Sequence, residues 1–441
     1  MKREERQWRR EWQETADRFF CRVCRSSGLT ILLLALPAVV RAQGPASCTV
    51  QLDSVGGQGR QVEVAPGVVH QFLSGGVWAS CRGQPTHMRS DSAAWYSDRN
   101  KVDFIGHVRF EDSSVTLQSQ TATYGLRDDR LDAYGDVHLV NRKTGSDLVG
   151  PVLTYWRAVP GVRDTAELLA VNRPTVHYRA AGDSANEAYV IVGQRVRLKG
   201  NDRAWAGGNV TIDRSDFSAQ ADSAELDLGA GRGAFIDHAR ISGKGADAYT
   251  LEGRTVAFRL SGHELTWVEA RGRGDAVSKD WRLSADTIAF DIADRQIVHG
   301  TAWGDSLRPD ARSTRYTMRA DSLALDTPDQ QLKEMRGYGG AVATAARDSL
   351  EGQPDWVAGD SLVAQFDTTA AGQRILSRLD AHGQARAYYR VCQEDGKTLA
   401  GINYSRGKRI IASFNDRGVE RVRVEGEGDG VYLEPNPPEP C

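Results

Sequence analysis

Nine histidines are spread along the 441 residues, and no two stand at the short spacing that a zinc site uses. They read as single histidines on wet strand faces. Carboxylates are plentiful, as at Asp128-Asp129, but they gather at turns where solvated carboxylates belong. No pair among them stands out as the acid and base of a hydrolase. Gly272-Arg273-Gly274 and Gly426-Glu427-Gly428-Asp429-Gly430 have the look of phosphate loops, yet neither opens a helical pattern, which a phosphate-binding turn requires. No GxSxG elbow is present. Eight of the ten tryptophans lie beyond residue 42 and could stack on sugars, but they share no common spacing. The chain is therefore expected not to be an enzyme, and to use neither a metal nor a cofactor.

Cysteine is the remaining reactive type. Leu29 to Val40 is a twelve-residue apolar run preceded by basic residues and followed by Val40-Arg41-Ala42, so residues 1–42 read as a cleaved signal peptide; a retained segment would make an anchored form. Export puts Cys48, Cys81, Cys392 and Cys441 in an oxidising compartment, the periplasm. Two lie near each end, which suggests the pairs Cys48–Cys81 and Cys392–Cys441. The leader's net charge of +4, taken from −2 for the whole chain, leaves −6 for the exported part. That balance argues against nucleic acid as a partner.

The elements that would position any site come from a repeat. Met88 to Phe110 and Leu117 to Leu139 are the same pattern at an offset of 29 residues: Met88 falls on Leu117, Trp95 on Tyr124, Gly106 on Gly135 and Val108 on Val137. The opening half recurs at Leu148, Ile191, Ala219, Leu251, Leu283, Met318, Val357 and, degraded, Leu399, giving about ten units at intervals of 28 to 43 residues. Within each opening half, apolar positions two apart are followed by a step of three and then another pair two apart. Alternation marks a strand with one dry face. The step of three flips the parity and predicts a bulge or corner in every strand. The closing half alternates again, with Val102, Phe104, Gly106, Val108 and Phe110 on one face and Asp103, His107 and Arg109 on the other.

This organisation predicts an all-β array from 88 to 433, an atypical capping unit over 43–87, a bend near 156–190 and a Pro-rich tail at 434–441. A closed β-solenoid would show the same alternation, so the pattern alone leaves open whether the dry face is a core or a groove.

The units resemble the OstA-like family, periplasmic components of the lipopolysaccharide transport bridge. The matching text is Ala221-Asp222-Ser223-Ala224, Ala285-Asp286-Thr287-Ile288, Ala320-Asp321-Ser322-Leu323 and Gly359-Asp360-Ser361-Leu362, with Gly106-His107-Val108, Gly135-Asp136-Val137 and Gly208-Asn209-Val210. The resemblance spans Met88 to Leu433 and carries no catalytic residue. It implies an elongated, open β-jelly-roll whose two sheets form a V, whose inner groove shields the acyl chains of lipopolysaccharide or a similar amphiphile, and whose end strands pair with other transport proteins. Phe104, Val108, Leu117, Tyr124, Leu131, Val137 and Leu139 share one parity and are expected to line that groove. An exported structural or polysaccharide-binding repeat protein, adhesin-like, is the alternative.

Overall fold

The computed structural model describes residues 48–179, 188–244, 248–262, 264–279, 281–328, 331–345, 354–368, 374–393, 398–415 and 418–436. The leader, residues 437–441 of the tail and the predicted half-cystine Cys441 lie outside them.

The chain is all-β. β1 (Val50–Val55) and β2 (Gly59–Ala65) pair with the two halves of β3 (Val68–Cys81). β4 (His87–Tyr96), β5 (Lys101–Glu111), β6 (Val115–Gly125), β7 (Arg130–Asn141) and β8 (Asp147–Trp156) follow as an antiparallel meander. Four short strands then break the rhythm near the expected bend: β9 (Glu167–Val171), β10 (Thr175–Tyr178), β11 (Tyr189–Val192) and β12 (Arg195–Lys199). Long strands resume with β13 (Arg203–Asp213), β14 (Phe217–Asp227), β15 (Arg232–Gly243), β16 (Thr250–Ser261), β17 (Glu264–Val277) and β18 (Trp281–Ala293). A second break gives β19 (Gln296–Trp303), β20 (Asp310–Ser313), β21 (Tyr316–Arg319) and β22 (Ser322–Asp326). β23 (Glu334–Ala345), β24 (Trp356–Thr368), β25 (Arg374–Cys392) and β26 (Leu399–Asn415) complete the meander, and β27 (Gly418–Glu425) and β28 (Asp429–Leu433) share the far edge of β26.

Each long strand is folded across its middle. Phe110 pairs with Leu117, and Tyr124 lies seven residues further along β6. A straight strand would put about 23 Å between those two levels, yet the rings of Phe110 and Tyr124 are 6.3 Å apart. The sheet is therefore a trough with two arms. Met88, Phe110, Leu117, Leu139 and Leu148 form one inward row by direct pairing, here called arm A. Trp95, Val102, Tyr124, Leu131 and Tyr155 form the facing row, arm B.

The parity flip is the fold line. Between Ile105↔Thr121 and Val108↔Ser119, two residues of β5 oppose the single Gln120 of β6, which is a bulge. Gly106 and His107 both take positive φ there (78° and 41°), as do Gly135 and Asp136 (75° and 47°) on β7. Where proline holds the glycine position, at Pro174, its fixed φ forbids that conformation, and the left-handed pair moves back to Asn172 and Arg173. Where a unit carries Asp at this position, it faces the bulge of the neighbouring strand: Asp91 bonds His107 Nδ1 at 2.7 Å, and Asp222 bonds His238 Nδ1 at 3.0 Å. A Cβ added to Gly106 would collide with the Asp91 carboxylate. Gly106→Ala is therefore expected to lower the unfolding free energy by about 1–3 kcal/mol, while His107→Gly, next door and already left-handed, costs less than about 1 kcal/mol. Urea unfolding of both variants separates them; equal losses would remove the backbone explanation.

β3, in the expected capping unit, bends in the same way, with Gly75 and Gly76 at positive φ. At the two ends of the sheet β1 and β2, and β27 and β28, have no second strand partner among the described residues.

Candidate functional site

The seven positions expected to line a groove do point inward, but they are packed away. Phe104, Val108, Leu117, Tyr124, Leu131, Val137 and Leu139 are all 0–3% exposed. Large side chains from both arms fill the trough here, and a polar seam ties its rims. Asp129, in the turn after β6 on the arm B rim, receives hydrogen bonds from Tyr124 Oη (2.8 Å) and from the Cys48 amide (3.0 Å), and pairs with Arg157 Nη2 at 2.9 Å. Arg157 in turn reaches across to Thr86 Oγ1 (3.1 Å) and Gln84, in the turn after β3 on the arm A rim. Tyr155 Oη donates to Asp112 at 2.9 Å, and Asn141 Nδ2 donates to Asn201 at 3.0 Å, both from one rim to the other. Burial pushes the hydroxyls of Tyr124 and Tyr155 far above the usual tyrosine range, so both remain donors. Cys48 is bonded to Cys81 with Cα atoms 5.1 Å apart, fixing the first described residue to the arm A rim. Cys392 is disulfide-bonded as well.

Further along, ring pairs take over from the polar seam. Phe217 meets Phe258 at 6.3 Å, Tyr249 meets Phe290 at 6.4 Å and Trp281 meets Phe290 at 6.1 Å, each joining arm A to arm B.

Beyond β18 the rows shrink. Arm A continues by direct pairing as Leu283, Ala311, Met318, Ala343, Val357 and Ala387. Arm B continues from Phe290 through Gly300, Leu325, Met335 and Ala364 to Leu379 and Ala412. Alanine and glycine cannot span the gap that Phe and Tyr close elsewhere, so the arms stand apart. The result is a groove with a cavity of about 370 Å³, within the range of sites that bury a small ligand.

The two walls of this groove differ. Arm B offers Leu332, Phe366, Leu376, Phe414, Val419 and Val422, with no polar side chain on that side among the described residues. Arm A mixes apolar residues with Arg312, Ser313, Asp355, Trp356, Tyr388 and Arg390. The Trp356 and Tyr388 rings lie nearly parallel at 6.4 Å, with Tyr404 edge-on to Trp356 at 6.3 Å. The charges on this wall are matched. Arg390 Nε lies 3.2 Å from Asp355, while Arg312 and Arg319 share Asp310 at 2.7 and 2.9 Å on the outer side of this arm, alternating with the inward Ala311 and Met318. Burial alone would raise the Asp310 carboxyl, but the two guanidiniums outweigh it and hold it below the usual range. The groove can therefore take an apolar chain along one wall and present a neutral, hydrogen-bonding face along the other.

A smaller cavity of about 230 Å³ interrupts the polar seam beside Asn141, Ser146, Thr165 and Asn201. The hydroxyl of buried Tyr178, which also borders it, has no hydrogen-bond partner among the described residues. Outside the trough, His177–Asp147 (3.0 Å) and His299–Asp326 (2.9 Å) join neighbouring strands. Among the described residues no three His, Cys, Asp or Glu side chains gather as a metal would need.

None of the groove residues stood among the seven read from sequence, because those came from the two best-matched units, where the rows are full. The signal that could have found the groove is the last position of each opening half: Tyr124, Tyr155, Phe258 and Phe290 in earlier units, but Ala364 in the unit beginning at Val357.

No family model matches the chain, and no curated protein sequence does. Among solved structures it is similar to LptH of Pseudomonas aeruginosa, described as the LptA-homologous periplasmic component of the lipopolysaccharide transport device. That similarity has 15% identity, covers 44% of this chain and 96% of the other, and gives a TM-score of 0.12.

Proposed function

We propose that this chain is a non-enzymatic, periplasmic carrier of acyl chains, a bridge component that holds lipopolysaccharide or a similar amphiphile in the groove between β18 and β27. The observation that carries the reading is the open groove whose arm B wall is apolar among the described residues. Apolar area is worth about 25 cal/mol per Å² when removed from water, so packing alone can hold a tail, without metal, cofactor or nucleophile. The repeat text from Met88 to Leu433 supports the same reading through its resemblance to the transport bridge family. The edges of β1 and β2, and of β27 and β28, which have no second strand partner among the described residues, suit strand addition by neighbouring transport proteins.

The test is photocrosslinking in cells. A photoreactive residue at Phe366 or Phe414 is expected to label lipopolysaccharide, and one at Asp360, on an outer corner, is not. Phe104 and Val137 are expected to stay silent, since both are buried. Equal labelling from Asp360 and Phe366 would defeat the proposal. Capture of glycan in place of lipid would favour the polysaccharide-binding alternative, for which the polar cavity at Asn141 and Asn201 is the natural location.

A further inference from the structure

The groove has a second property, which rests on its being an acyl-chain site. We infer that it is blind: Trp281 and Phe290 stopper it, so a chain enters and leaves by the C-terminal mouth and penetrates no further than Trp281. These two residues open and nearly close the same strand, β18, yet their rings meet edge-on at 6.1 Å. The two arms of that strand therefore clasp each other. Phe290 is 1% exposed and touches Tyr249 on its other side, while Trp281 is half-buried with a face on the groove. Behind this wall Phe258 stacks on Phe235 at 5.4 Å and meets Phe217 at 6.3 Å. A trough filled by touching rings has no room for methylenes, because protein interiors are packed as densely as organic crystals.

The space in front of the wall is enough by itself. From β18 to β25 arm A crosses five strand pairings, about 24 Å at the usual spacing. One leaflet's chains reach about 15 Å, half the hydrocarbon thickness of a bilayer. The N-terminal part of the array is then a closed stem that sets the distance to whatever holds β1 and β2, and not a conduit.

The test uses the full chain carrying Ala343→Cys, in the groove, or Val256→Cys, behind the wall, and the probe hexadecyl methanethiosulfonate. Its methyl analogue corrects for breathing of the fold. The corrected rate at Ala343→Cys is expected to exceed that at Val256→Cys at least a hundredfold. Adding Trp281→Ala and Phe290→Ala to Val256→Cys is expected to raise its rate tenfold or more. Trp281→Ala alone, at a half-buried position, is expected to raise it without loss of folding, and Trp281→Phe to leave it slow. Equal rates at the two thiols, or wall variants without effect, would overturn the blind groove while leaving the lipid site standing. If neither thiol takes the hexadecyl probe, the groove holds no chain and both proposals fall.

Discussion

Asp129→Ala is expected to lower the unfolding free energy by about 3–5 kcal/mol, the loss found when one member of a buried ion pair is removed. Asp129 is 3% exposed, and the Arg157 side chain opposite it is 11% exposed. Deleting the carboxylate strands a guanidinium that has little water, and it orphans the Tyr124 hydroxyl and the Cys48 amide. Each orphaned group adds its own desolvation cost. The change also unties the turn at Gln84 and Thr86 from the opposite rim, because Arg157 reaches both. Asp129→Asn keeps an acceptor and is expected to lose about half as much. The double variant Asp129→Leu with Arg157→Met removes both charges and is expected to recover much of the loss, since apolar replacements of buried pairs are often neutral or better. Urea unfolding with the Cys48–Cys81 bond intact measures all three. A loss under about 1 kcal/mol for Asp129→Ala would mean that the polar seam does not hold the arms together, and the closed state of the N-terminal trough would need another cause.

Asp129 also shows where the sequence stops speaking. Asp128-Asp129 reads as a pair of solvated turn carboxylates, and nothing local separates the two. What buries Asp129 is Arg157, 28 residues away, together with a turn that precedes it by more than 40. The fold line was legible because it is local: the parity flip, the Gly-x-Val text and the facing Asp all report one bulge. The strand character and inward parity of Phe104, Val108, Leu117, Tyr124, Leu131, Val137 and Leu139 were legible for the same reason. Whether an inward face is a groove or a core depends on the summed volume of two rows that meet only after folding. Those rows pass through two breaks, at β9 to β12 and at β19 to β22, where the register cannot be counted from repeat spacing. Within the expected capping unit over 43–87, Gly75 and Gly76 give β3 the same bend as the other long strands.

The row argument predicts its own reversal. Ala364 occupies the arm B position held by Phe258 and Phe290 in earlier units, lines the groove and is 2% exposed. Ala364→Phe is expected to close the groove as those rings close the trough behind them. Filling part of a 370 Å³ cavity is expected to add about 0.5–2 kcal/mol of stability, as cavity-filling changes commonly do. The same ring would displace about four methylenes of a bound chain at about 0.8 kcal/mol each, a loss near 3 kcal/mol or roughly a hundredfold in affinity. Binding of purified lipopolysaccharide and urea unfolding, measured on the same preparation, read the two effects separately. Opposite signs are the mark of a site kept open at the expense of packing. Affinity unchanged in a stabilised variant would show that the chain binds elsewhere. A variant that loses both stability and binding would show instead that Ala364 is core, with no space in front of it for a ring or for a lipid.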